Sequence, residues 1–121
     1  MSPARRRAAA PSMGLDLVEI DRVADLAKRN PRFLTRVFSA EELRYCKGKR
    51  MRWQHLAVRF AAKEAVWKAL GEPGLALKDI SVTRDAMGKP GVLIKGRRAP
   101  HVQISLTHSA RYAAAVAVRA A

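Results

Sequence analysis

LAVRFAAKEAVWKALG, residues 56–71, is the stretch whose reading decides the fold. At 100° per residue, Val58, Ala61, Ala62, Ala65 and Ala69 gather on one side of a helix. Leu56, Phe60, Trp67 and Leu70 gather on the other, so the helix is apolar nearly all round and belongs at the centre of the protein. Four charges interrupt it: Arg59, Lys63, Glu64 and Lys68. Isolated charge is too costly to bury, so each must be paired, solvated in a cleft or bound to something. The plainest arrangement is an i,i+4 pair between Glu64 and Lys68, with Arg59 above Lys63 on another flank. Gly71 follows where a helix ends in the left-handed conformation.

Upstream, FSAEELRYC (38–46) carries Ser39 and Glu42 at capping-box spacing, which predicts a short helix starting at Ala40. Before it, MGLDLV (13–18) alternates Met13, Leu15 and Leu17 with Gly14, Asp16 and Val18, the period of a strand. On that pattern Asp16 falls opposite the leucine face, the place of a polar residue on the wet side. A helix over about 19–29 is expected next, with Ile20, Val23, Ala24 and Ala27 inward and Arg22 and Arg29 outward. Arg32 lies just past Pro31. Residues 1–12, MSPARRRAAAPS, have no long apolar core and read as a disordered basic leader, leaving one domain over 13–121.

Downstream, DISVTRD (79–85) and GVLIKG (91–96) flank a turn at residues 86–90. HVQISLTH (101–108) and RYAAAVAV (111–118) form a second hairpin around Ser109 and Ala110. Helices precede strands, and one early strand is available to complete a sheet, which is an α+β pattern.

The 121 residues carry a formal charge of +14, the strongest compositional signal. It calls for an anionic partner: nucleic acid, an acidic protein surface or a phosphorylated small molecule. Aromatics are only 6% of residues, and neither a stacking series nor a zinc finger appears, which argues against the nucleic-acid reading. No apolar run is long enough for a membrane span. One cysteine, Cys46, permits no internal disulfide and fits a reducing, cytoplasmic setting.

GLDLVEIDRV (14–23), RFAAKEAVWKALG (59–71) and HVQISLTHSARYAAAVAV (101–118), taken in order, resemble the holo-acyl-carrier-protein synthases, the small bacterial 4′-phosphopantetheinyl transferases. FSAEEL and the Gly88-Lys89-Pro90 turn extend the likeness over nearly everything from Met13 onward. The resemblance implies an antiparallel sheet packed on a long central helix, a homotrimer, and active sites at the subunit boundaries. It implies transfer of 4′-phosphopantetheine from coenzyme A to a serine of an apo acyl carrier protein, for fatty acid biosynthesis. Carrier domains of polyketide or peptide synthases are the alternative acceptors. By the same likeness Asp16 and Glu64 are the catalytic pair that binds Mg²⁺. Lys68, Arg59, His108 and Ser109 line coenzyme A, and Arg22, Arg29 and Arg32 dock the acidic carrier protein. The base that deprotonates the serine stays open among Glu64, a metal-bound water and His108. Two stretches depart from the family pattern: the short connection 95–100 and the Gly71-Glu72-Pro73-Gly74 loop.

Overall fold

The structure is a computed structural model that describes residues 10–121. The Arg5–Arg7 part of the basic leader lies outside the described residues. The chain runs β1 (Ser12–Glu19), α1 (Ile20–Arg29), α2 (Arg32–Val37), α3 (Ala40–Cys46) and α4 (Arg52–Leu70). A 3₁₀ turn at Leu77–Asp79 leads into β2 (Ile80–Arg84), β3 (Pro90–Ile94), β4 (Arg97–Arg98), β5 (Val102–His108) and β6 (Tyr112–Arg119). The expected α+β architecture, antiparallel strands packed on a long central helix, is what forms. The early strand does complete a sheet, in the order β1-β6-β5, while β2-β3-β4 make a second one. The short 95–100 connection contributes β4, paired to the end of β3.

Helix α4 crosses both halves of the core. Ala61, Ala62, Ala65 and Ala69 let it lie close to Ala115 and Ala117 of β6, with Ile80, Val82, Val92 and Val102 closing one cluster. Leu56, Ala57 and Val58 pack with Ile20, Val23, Phe38 and Ala113 in the other. Small residues on both sides of a contact bring backbones together without voids, which is where close packing gains most.

Sequence reasoning starts this helix four residues late. The first turn, from Arg52, exists because Trp53 is half-buried against the second cluster. Helix α2 was not anticipated, being too short to show a period. It is held by Phe33, whose ring meets Phe60 edge-on at 5.7 Å. Trp67 is 43% exposed, so α4 is not buried all round. Its indole N–H donates to the Leu75 carbonyl at 2.8 Å and ties down the following loop. Gly71 takes φ 59° and ends the helix as expected.

The capping box forms, and it does more than cap. Glu42 Oε1 accepts from the Ser39 amide at 2.9 Å and from Lys63 Nζ at 2.7 Å. Glu42 Oε2 accepts from the Val82 amide at 2.8 Å, and Lys63 Nζ also donates to the Ile80 carbonyl. Both side chains are completely buried. One dry ion pair therefore ties α3, α4 and β2 together.

The β1 strand corrects the sequence reading in two ways. Ser12, assigned to the leader, belongs to the strand, pairs with Arg119 in register and accepts from its Nη2 at 3.0 Å. More consequentially, the leucine face points outward: Met13, Leu15 and Leu17 are 69%, 66% and 64% exposed. Gly14, Asp16 and Val18 form the face that turns inward, and Gly14 packs directly on the backbone of α4. Alternation shows which residues share a face but not which face is wet, and close approach to α4 decides it.

Candidate active site

Gly14 sets the position of the site. A Cβ there would run into the Ala65 carbonyl oxygen and come within 2.9 Å of the Ala69 nitrogen. Only glycine lets β1 lie this close to α4. Two residues on, on the same face of the strand, Asp16 is thereby brought to the level of Glu64, the residue before Ala65 on the helix. The two carboxylates line one cleft of about 400 Å³, together with Arg22 of α1, Phe60 of α4 and Tyr112 of β6.

The Glu64–Lys68 pair expected from helical spacing does not form. Lys68 Nζ instead donates to Asp16 Oδ1 at 3.2 Å and to the Leu15 carbonyl at 2.9 Å. Asp16 Oδ2 is buried and has no hydrogen-bond partner. Burial pushes the Glu64 carboxyl above its ordinary pKa, the nearby Asp16 charge pushes it further, and Lys68 pulls the other way. Two carboxylates in mutual repulsion, one with an orphaned oxygen, are chemically suited to a hard divalent cation, whose oxygen ligands they would supply. Among the described residues no group of three or more His, Cys, Asp or Glu side chains comes together. A cation here would thus draw its other ligands from water and from oxygens of the substrate.

The other residues singled out in the sequence divide. Arg22 lines the carboxylate cleft, while Arg29 and Arg32 are exposed at the far end of α1 and just beyond. Arg59 lies elsewhere, in a second hollow of about 280 Å³ with Tyr45, Thr83 and Arg84. Its guanidinium stacks 4.2 Å from the Tyr45 ring centre, Nη1 donates to the His55 carbonyl at 3.2 Å, and buried Nε has no partner. His108 and Ser109 are exposed at the β5–β6 turn, where Ser109 Oγ accepts from the Tyr112 amide at 3.2 Å. Neither lines the Asp16–Glu64 cleft within this one chain. Lys63 faces away from it into the buried pair with Glu42.

Phe60 and Tyr112 were missed as cleft walls. Phe60 stands one turn before Glu64 on the same helical column, a signal present in the sequence. Tyr112 pairs with Glu19 across the β1–β6 ladder, and only the register brings it there.

Residues 12–117 match the family model of the 4′-phosphopantetheinyl transferase superfamily. A holo-[acyl-carrier-protein] synthase of Moorella thermoacetica is 42% identical over 116 residues, covering 87% of this chain and 90% of that protein. The Protochlamydia amoebophila holo-[acyl-carrier-protein] synthase is 44% identical over 115 residues, covering 88% and 94%. Among solved structures, a Bacillus anthracis holo-(acyl-carrier-protein) synthase in complex with CoA (3′,5′-ADP) superposes with a TM-score of 0.78 at 29% identity, covering 91% of this chain and 96% of that one. The Chronobacterium ammoniagenes ACPS–CoA complex does so with a TM-score of 0.79 at 30% identity, covering 93% and 99%.

Proposed function

The chain belongs to the holo-acyl-carrier-protein synthases of the 4′-phosphopantetheinyl transferase superfamily, and from that premise we propose its reaction. It moves 4′-phosphopantetheine from coenzyme A to a serine hydroxyl of an apo acyl carrier protein and releases adenosine 3′,5′-bisphosphate, in the cytoplasm. The observation that carries this reading is the convergence of Asp16 and Glu64 on one cleft.

Asp16 and Glu64 would hold Mg²⁺, which when bound supplies charge neutralisation for the diphosphate as the phosphorus–oxygen bond breaks. Lys68, at the same cleft, pairs with the phosphates of coenzyme A. Glu64, which faces the same cleft, is also a candidate proton acceptor for the serine hydroxyl. Arg22, with Arg29 and Arg32 behind it, meets the acidic carrier and brings the serine to the cleft. The positive charge that also fitted nucleic acid in the sequence is assigned to this partner.

Arg59, His108 and Ser109 keep their coenzyme A role only if a neighbouring copy brings them to the cleft. A homotrimer would do so. It is supported by the outward face of β1, where Met13, Leu15 and Leu17 stand exposed beside Val118. An apolar stripe of that kind on a sheet is costly in water and cheap in an interface.

The test mixes the protein with coenzyme A, Mg²⁺ and apo acyl carrier protein and follows the carrier's mass. One added phosphopantetheine, abolished by EDTA and reduced at least about 100-fold by Glu64→Gln, is expected. Full activity in Glu64→Gln would overturn the site assignment.

A further inference from the structure

The arrangement of Lys68 bears on the order in which the cleft fills. Its ammonium is bonded to Asp16 Oδ1 and to the Leu15 carbonyl rather than to Glu64 one turn back. The charged groups around the cleft are Asp16, Glu19 and Glu64 on one side of the balance and Arg22 and Lys68 on the other. Of the two cations, Lys68 is the one hydrogen-bonded to a carboxylate assigned to the metal. We infer that Lys68 competes with a divalent cation for Asp16, and so makes cation binding conditional on a diphosphate arriving with it.

This rests on the assignment of Asp16 and Glu64 as cation ligands. A divalent ion on Asp16 shares that carboxylate with a positive charge already in hydrogen-bond contact. The repulsion weakens binding of the ion alone by at least about tenfold when a double and a single positive charge sit a few ångström apart, even in a water-like dielectric. A diphosphate removes the conflict. It brings negative charge for both cations, and the Lys68 side chain, 46% exposed on a flexible stem, can swing from Asp16 to a phosphate oxygen. Mg²⁺ and coenzyme A then bind cooperatively, each raising the affinity for the other by the same factor. An alternative role, in which Lys68 merely orients Asp16 for the metal, predicts the opposite sign on mutation.

The experiment titrates Mn²⁺ into the full chain by electron paramagnetic resonance, with and without coenzyme A, for the wild type, Lys68→Gln and Asp16→Asn. Lys68→Gln is expected to bind Mn²⁺ alone at least about tenfold more tightly, while the tightening caused by coenzyme A shrinks by a similar factor. Weaker Mn²⁺ binding by Lys68→Gln without coenzyme A, or an undiminished coenzyme A effect, would overturn the inference and leave the cation site standing. Mn²⁺ binding unchanged in Asp16→Asn would remove the cation site and the inference with it.

Discussion

Two lysines five residues apart on α4 each hold a carboxylate, and their settings could hardly differ more. Lys63 and Glu42 meet at 2.7 Å with both side chains fully buried. Lys68 and Asp16 meet at 3.2 Å, with the lysine side chain 46% exposed. In the first pair every strong acceptor is used: Glu42 also takes the Ser39 and Val82 amides. In the second, Asp16 Oδ2 has nothing. A pair that is dry and fully satisfied cannot exchange partners without leaving a bare charge in low dielectric. A wet pair with a spare oxygen can. Adjacent turns of one helix thus carry opposite kinds of ion pair, one sealed inside the scaffold and the other half-exposed beside the cleft.

That contrast is open to direct attack, most forcefully at the buried pair. Lys63→Met should cost about 3–5 kcal/mol in urea unfolding, because it strands the Glu42 charge. Adding Glu42→Gln should recover a large part of that loss. A single-mutant cost below about 1 kcal/mol would show that the pair is not dry. Burial already draws the Lys63 pKa below its ordinary value, against the pull of Glu42 and Asp79, as a dry site requires.

Gly14→Ala comes next. The added methyl must displace β1 from the Ala65 carbonyl, and overpacking of this kind costs about 1–3 kcal/mol. It should also lower activity by more than the lost stability explains, since Asp16 moves with the strand. Thermal melts beside the transfer assay separate the two effects. Normal activity in a destabilised variant would mean that Asp16 is placed by something other than this contact.

Lys68→Gln should change stability by no more than about 1 kcal/mol, as for other half-exposed ion pairs. A loss near that of Lys63→Met would erase the distinction between the two lysines.

The smallest effect is the pH dependence at Glu64. Its carboxyl binds a proton more tightly folded than unfolded. Its contribution therefore favours the folded state at low pH and is lost as pH rises from the ordinary value of 4.5 through the raised one. Glu64→Gln removes this term, so the variant's melting temperature relative to wild type should climb over that window. A flat difference would show that neither burial nor the Asp16 charge raises this carboxyl's pKa.

Much of this was legible in the chain itself. The capping box at Ser39 and Glu42, the strand-period hairpins and the glycine stop at Gly71 are local signals, set by neighbours a few residues away. Asp16, Glu64 and Lys68 were recognisable as a set through their motifs. What the chain alone left open depended on contacts between residues distant in sequence. Alternation in 13–18 was equally consistent with either face inward, and only the fit of Gly14 against Ala65 turns the leucines to solvent and Asp16 to the cleft. Helical spacing offered Lys68 to Glu64, yet Asp16 and the Leu15 carbonyl, 52 and 53 residues away, hold it instead. Helical spacing puts Lys63 and Lys68 on different flanks, but nothing local says which of the two is buried. The physical reason is that pattern reports periodicity and chemistry, whereas burial and partner choice are properties of surfaces that exist only once the strand has closed on the helix.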